Sequence, residues 1–525
     1  MEPIIAAFFS HDSSICIKDA DGNYRVFEFE RLLKERYVKI NNKENLKEIL
    51  NKLKDIIIKE HDINQFNICY HLGLSEREKN ILTEVWGISN FIETGHHISH
   101  AACSYYQSGF KEAIVISYDG GGYDGDPGDE RIGYFNIYHV KDNKFTKLKY
   151  IPYDLGTAYG LAAIPISEIT KTKTDWGDRF LSFSGKIMGL VGYGNVREEW
   201  LEAFKIFYKE HKHVNLNDLQ KTLGPSIGLS LEINSLNGQD SYDFAATSQK
   251  AFEEVIFEEI DFVLKDYDLP ICLTGGCALN VILNQKLKDI LPFDNLFIPP
   301  NPSDCGLSFG MLSYNNPPEN KVNLTYSGFS ILDIEELSQY IEKYNAKLIS
   351  PSDLAKLIYD GKIIGLMQGR SEVGPRALGN RSILCDPSYI DMKDTLNHKI
   401  KFREWFRPFA PIVKQEDSNK YFEFSGDASY MSYSPKVRSE FTNKLPSIVH
   451  KDGTARLQTI TRKQNDFIYC LLTEFEKLRG VGCLLNTSFN IKGKPILTTI
   501  KDAIEVLETT EIDAVVIDGY LFERK

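Results

Sequence analysis

The chain has 525 residues, 42% of them hydrophobic and 26% charged, with a formal net charge of -12. That length exceeds one ordinary core, so two or three domains are expected. The acidic balance excludes broad binding to nucleic-acid backbones, which needs a basic surface, but leaves room for a local phosphate pocket.

In chain order, Ile4–Phe9 reads as an apolar strand, His11-Asp12-Ser13 as a turn, Ser14–Lys18 as a second strand, and Tyr24–Glu30 as an alternating third. Asn45–Glu60 carries a helical apolar face through Leu46, Ile49, Leu50, Leu53, Ile56 and Ile57. Strand, acidic turn and strand then recur as Ala113–Ser117, Asp119-Gly120-Gly121-Gly122 and Ile132–Val140. Two such hairpins about a hundred residues apart suggest an internal duplication. A long helix is predicted from Phe244 to Asp266, then an apolar strand at Ile271–Leu273 broken by Thr274-Gly275-Gly276. Tyr314–Tyr326, with Asn315-Asn316-Pro317-Pro318, reads as a surface connection. Basic, glycine-containing motifs begin near Leu348, which places one domain at 1–347 and a second at 348–525, both α/β.

No apolar run reaches the roughly 18 residues of a membrane span. The start, Met1-Glu2-Pro3-Ile4-Ile5, has neither the basic flank nor the apolar core of a secretion signal, so a cytoplasmic location is expected. Nine scattered cysteines without a CxxC pair predict reduced, mostly buried thiols.

Three groups of residues could carry chemistry. In Gly95-His96-His97-Ile98-Ser99-His100, His96 and His100 are four apart, on one face of a helix, where both could ligate a metal. Two histidines leave a site incomplete. Asp119 and Asp304 are the candidate carboxylates, and the mixed donors suit iron, zinc or manganese. A helix start with solvent-facing histidines fits the spacing equally. The second group is glycine-rich: Gly120-Gly121 and Gly275-Gly276 each follow an apolar strand and would let backbone approach a nucleotide, or are simply turns. The third is cationic, comprising Arg370, Arg376, Lys401, Arg403, Arg407 and Arg456. Arginines among glycines and hydroxyls suit phosphate and carboxylate anions, or form structural ion pairs. Asn486-Thr487-Ser488-Phe489-Asn490 adds polar groups after the apolar Cys483-Leu484-Leu485.

Taken in order, these segments resemble the O-carbamoyltransferase family of antibiotic-tailoring and nodulation-factor enzymes. The resemblance runs from His11-Asp12-Ser13-Ser14 through the histidine helix, Lys186-Ile187-Met188-Gly189-Leu190, Gly275-Gly276, Gly374–Ser382, Lys401–Pro408, Asp452–Arg456 and Asn486–Asn490 to Lys494-Pro495-Ile496. It implies a duplicated actin/sugar-kinase-like N-terminal domain and a C-terminal twisted-sheet α/β domain resembling threonylcarbamoyl-adenylate synthase. The C-terminal domain would make carbamoyl-adenylate from carbamoyl phosphate and ATP, with magnesium accompanying the nucleotide. The N-terminal domain would pass the carbamoyl group to an acceptor hydroxyl. His96, His100, Asp119 and Asp304 become the metal ligands, with iron the first expectation and His97 a neighbour. Arg376, Lys401, Arg456 and Ser488 would line the adenylate-forming pocket, with Met431 beside them and Arg370, Arg403, Arg407 and Asn486 adding to it. His11 is the implied transfer base. One of Lys34, Arg36 or Lys39 would be a cationic helper.

The chain is short for that family, and the acceptor stays open among sugars, macrolide-like or guanidine natural products, and hydroxymethyl-pyrimidine nucleotides or DNA. A homodimer is compatible with this reading, and no membrane partner is expected. The rivals are a hydrogenase-maturation carbamoyltransferase, whose usual acylphosphatase segment and paired CxxC motifs are missing here, a tRNA threonylcarbamoyl-type enzyme, and a nonenzymatic nucleotide-binding regulator on the same scaffold.

Overall fold

The strands form three sheets in the computed structural model, which describes residues 2–122, 134–170, 180–210, 215–292, 294–491 and 493–524. The first sheet holds β1 (Ile4–Phe8), β2 (Ser14–Lys18), β3 (Tyr24–Glu28), β4 (Ile68–His71) and β5 (Asn90–Glu93), in the order β3-β2-β1-β4-β5. The second holds β6 (Glu112–Tyr118), β7 (Phe135–Lys141), β8 (Lys144–Ile151), β9 (Ile271–Thr274) and β10 (Leu296–Phe297), in the order β8-β7-β6-β9-β10. The two orders are the same. In each, an antiparallel three-strand meander is extended by two parallel strands, β4 and β5 or β9 and β10. The duplication suggested by the hairpins is therefore real, and the N-terminal part has the actin/sugar-kinase-like form.

The central strands β1 and β6 are buried along nearly their whole length, which is why they read as continuous apolar runs without alternation. The third predicted strand stops at Glu28, and Phe29–Leu33 turns helical. The expected strand start at Ile132 and Gly133 lies outside the described residues. The two long predicted helices are present as Leu46–His61 and Gly238–Asp266.

Each half ends in a buried helix, His96–Ser108 after β5 and Leu307–Asn315 after β10. The helices are exchanged: His96–Ser108 packs on β6 and β9, and Leu307–Asn315 packs on β1 and β2. They also cross each other. At the crossing a side chain on Gly310 would overlap the Ser99 carbonyl, so only glycine permits the approach. Both helix starts are thereby brought to one place.

The remaining strands are β11 (Lys347–Leu348), β12 (Ile364–Met367), β13 (Arg381–Cys385), β14 (Ala410–Lys414), β15 (Gln458–Ile460), β16 (Cys483–Ser488), β17 (Ala514–Ile517) and β18 (Tyr520–Glu523). They form a mixed eight-stranded sheet in the order β11-β18-β17-β12-β13-β16-β14-β15. Helices Pro351–Tyr359 and Asp466–Arg479 pack together over it. This sheet is clasped to the N-terminal sheets through polar contacts. Buried Arg31 donates to the carbonyls of Glu372 and Gly374 (2.7 Å for the latter), Gly374 N–H donates to Glu28 Oε1 at 3.1 Å, and Lys186 pairs with Glu404 at 3.0 Å. All nine cysteines are free, and seven are buried, as expected. No described helix is long and apolar enough to cross a membrane.

Candidate active site

A cavity of about 1440 Å³ is lined by residues from both the N-terminal sheets and the eight-stranded sheet. At one end stands the histidine–carboxylate cluster. His96 and His100 occupy successive turns at the start of their helix, Asp119 follows β6 directly, and Asp304 opens the turn before Leu307–Asn315. His100 Nε2 lies 2.9 Å from Asp119 Oδ2, 3.3 Å from Asp304 Oδ1 and 3.1 Å from His96 Nε2. His96 Nε2 is 3.4 Å from Asp119 and 3.7 Å from Asp304. Four donor atoms, two imidazole and two carboxylate, lie within 4.8 Å of one another, a set that fits a divalent ion with mixed nitrogen and oxygen ligation.

Burial opposes charge on His100, but its hydrogen bonds to Asp119 and Asp304 overcome it and raise the imidazole to about 9. Burial likewise opposes ionisation of Asp119, yet His100 and His96 hold it well below the usual carboxylate range. His97 is directed elsewhere, with Nδ1 2.8 Å from Ser117 Oγ. It is a neighbour, as expected. His11 stands beside the cluster, its Nε2 3.4 Å from Asp304 and its Nδ1 3.5 Å from Asp12. Burial would lower its affinity for a proton, but Asp304, Asp12 and Asp119 together raise it to about 9.

The other end of the cavity is cationic. Arg376, Lys401, Arg403, Arg407 and Arg456 all line it. Lys401 Nζ donates to Ser488 O (2.6 Å), Ser488 Oγ (3.2 Å), Asn490 O (2.9 Å) and Asn490 Oδ1, which are all neutral acceptors. Arg376 and Arg456 form no ion pair with a carboxylate among the described residues, and Arg456 Nε is buried without a partner. Burial, then Arg407, pushes Arg376 down to about 10. Burial, then Arg376, Arg403 and Arg407, depresses Arg456 far below its ordinary range. A buried charge without a counter-ion is costly, so this wall is built to be completed by an anion.

Several expected site residues sit differently. Arg370 lies outside the cavity wall: it pairs with Glu60 at 2.8 Å and donates to Gly328 O at 2.9 Å, so its charge is already spent. Asn486 is fully buried within β16, donating to Ala377 O (3.1 Å) and Gln458 Oε1 (2.6 Å), and supports the wall from behind. Gly275, at φ +87°, is also outside the lining; its role is clearance, since a side chain there would overlap the Tyr118 carbonyl. Gly120, Gly121 and Gly276 do line the cavity. The amides of Gly120 and Gly276 donate to Asp119 Oδ1 at 2.7 and 3.1 Å, so they fix the Asp119 carboxylate in the cluster. Met431 lines the wall at φ +57°, packed with Leu378 and Ala410.

Of the three basic candidates, Lys34 is tied to Asp502 at 2.6 Å and Lys39 is absent from the wall. Arg36 faces the cavity, with Nη2 donating to Tyr37 Oη at 3.0 Å, and feels Glu30 and Asp12. Lys393 and Tyr193 also line the cavity, 3.4 Å apart, and no local pattern marked either.

A family model described as Carbamoyltransferase N-terminus matches residues 14–311, and one described as Carbamoyltransferase C-terminus matches residues 355–524. Nodulation protein NolO of Bradyrhizobium diazoefficiens is 32% identical over 82% of this chain and 79% of its own length. An uncharacterized protein of Methanocaldococcus jannaschii is 32% identical over 82% of this chain and 73% of its own. Nodulation protein U of Sinorhizobium fredii is 29% identical over 82% and 77%. A looser structural similarity, TM-score 0.38 at 12% identity over 61% of this chain and 56% of the other, is found with full-length HypF solved with phosphate and nucleotide bound.

Proposed function

The chain belongs to the carbamoyltransferase family, and we propose that it is an ATP-dependent O-carbamoyltransferase working through carbamoyl-adenylate. The carrying observation is that one cavity holds at one end a cationic wall in which Arg376 and Arg456 have no carboxylate partner among the described residues, and at the other a histidine–carboxylate cluster. Membership in an enzyme family sets aside the nonenzymatic regulator.

In this reading, carbamoyl phosphate, water and ATP give carbamoyl-adenylate, phosphate and pyrophosphate. Water carries off the phosphate, a carbamate oxygen bonds to the α-phosphorus, and pyrophosphate leaves. Bringing two polyanions together is the physical obstacle. Arg376, Lys401 and Arg456 offset that repulsion before the substrates arrive, at no reorganisation cost during reaction. Ser488 Oγ accepts from Lys401 Nζ at 3.2 Å and donates to Asn490 Oδ1 at 2.8 Å, which holds the lysine against the same wall.

For transfer, the acceptor hydroxyl bonds to the carbamoyl carbon, AMP leaves, and the hydroxyl proton passes to His11 Nε2. His96, His100, Asp119 and Asp304 would hold a divalent ion, with iron, zinc and manganese all suiting the donors, and such an ion supplies Lewis-acid polarisation when bound. Asp304 and Asp12 favour the protonated imidazole, so His11 must first release that proton before it can accept the one from the hydroxyl, and a cation sharing the Asp304 charge would ease that release. Arg36, beside Asp12, fits the cationic helper.

Incubating the protein with ATP and carbamoyl phosphate tests the reading: pyrophosphate must appear only when both are present. Absence of pyrophosphate under all metal conditions would sink it. The acceptor is then sought with radiolabelled carbamoyl phosphate across sugars, macrolide-like and guanidine compounds, and hydroxymethyl-pyrimidine nucleotides and DNA.

A further inference from the structure

The loop Lys401–Pro408 carries three cations that line the cavity, Lys401, Arg403 and Arg407. Like charges this close repel. Burial lowers the proton affinity of each, and the repulsion lowers that of Lys401 and Arg403 further. A loop so charged would splay unless something held it, and Phe402 at φ +47° adds backbone strain at its start.

Glu404 offsets part of this charge, pairing with Arg407 at 3.5 Å and with Lys186 at 3.0 Å, and the backbone of the loop is gathered by one amide. Asn397 is fully buried in the π-helical turn Leu396–Ile400, directly before the loop. Its Nδ2 donates to the carbonyls of Trp405 (3.3 Å) and Arg407 (3.2 Å), its Oδ1 accepts from Arg403 Nε (2.8 Å), and its backbone carbonyl accepts from Arg403 N–H (3.0 Å). Arg403 then closes the loop, donating from Nη2 to Pro408 O at 3.2 Å while its guanidinium lies 4.5 Å from the Phe409 ring centroid. Two of its three guanidinium nitrogens are therefore spent inside the protein. Arg376 and Arg456 show no such internal use.

We propose that Asn397 and Arg403 form a strut that sets the direction of Lys401 and Arg407, and that Arg403 is a positioning residue instead of a ligand for substrate phosphate. The proposal rests on reading this wall as the site that activates carbamoyl phosphate. It departs from the expectation that every arginine of the loop binds the anion.

A double-mutant cycle on the full-length protein tests it, following pyrophosphate release with carbamoyl phosphate varied. Asn397→Ala and Arg403→Met should each raise KM for carbamoyl phosphate about tenfold, the scale of one lost charge-assisted hydrogen bond. The double variant should be no worse than either single one, because both remove the same strut. kcat should stay within about threefold, whereas a general loss of folded protein lowers apparent kcat and leaves KM unchanged. A double variant whose effect is the product of the two singles would make Arg403 an independent ligand and overturn the proposal. So would a fall in kcat at constant KM. Asn397→Ser and Arg403→Lys run the same cycle if the harsher variants do not fold. Wild-type release of pyrophosphate is the control: its absence would remove the adenylate reading itself, while its presence with an additive cycle would remove only the strut.

Discussion

The two ends of the cavity solve the problem of buried charge in opposite ways. At the histidine–carboxylate end, Asp119 and Asp304 face His96 and His100 within 3.7 Å, and His11 closes the set, so the group is neutralised by its own members. At the cationic end, the neighbouring charges that weigh most on Arg376 and Arg456 are other arginines, with Tyr37 beside Arg376. The first end can stand alone and exchange protons for an ion. The second is held incomplete by the fold, at a cost in stability, until an anion enters. Dividing the work this way lets one cavity favour anions at one end and a cation at the other.

Removing a cation from the incomplete end should have the largest effect. Arg456→Ala is expected to slow pyrophosphate release by about a thousandfold, the upper range for losing one preorganised charge donor, measured with saturating ATP and carbamoyl phosphate. The same change should raise the thermal midpoint or leave it unmoved, since it relieves repulsion. A marked drop would show that Arg456 has a structural partner.

At the self-neutralised end, His11→Asn should lower carbamoyl transfer about a hundredfold, as expected for a lost general base. Pyrophosphate release should continue, and equal loss of both steps would end the separation of the two regions. His100→Ala removes one of four donors: after chelation and metal add-back, wild type should reload and recover transfer, while the variant holds little metal by elemental analysis. Equal reloading of the two proteins would place the ion elsewhere.

The smallest effect is predicted for Arg370, which belongs to neither end. Arg370→Met should leave both steps unchanged and cost about 1 kcal/mol of stability, the upper end for a pair that keeps some contact with solvent. Glu60, its partner, is pressed upward by burial but held at about 2 by His61, Ser330 and Arg370. A carboxylate depressed in the folded state stabilises above its unfolded value and loses that contribution as pH falls toward 2. Acid unfolding of the variant should therefore begin at higher pH than that of wild type, which circular dichroism can follow.

Arg370 and Arg376 show how far local sequence reaches. Both sit among glycines in one basic stretch, and nothing nearby separates them. What separates them is Glu60, 310 residues away from Arg370, and the absence of any such carboxylate at Arg376 among the described residues. Asn397 was invisible for the same reason, because its value lies in which carbonyls the following loop returns to it. His96 and His100 were legible because a spacing of four fixes their common face within a single helix.

By itself, then, the sequence pointed to the strands Ile4–Phe8, Ser14–Lys18 and Glu112–Tyr118, to a duplication, to the histidine pair and to the chemical class of the cationic stretch, since each depends on periodicity or composition over a few residues. The tertiary structure alone decided which carboxylates meet the histidines, which arginines remain unpaired and which are spent as struts. Those outcomes depend on the crossing of two exchanged helices at Gly310 and on the closure of the eight-stranded sheet against the N-terminal sheets. Charge pairing is a property of distance in space, and short-range sequence pattern does not encode it.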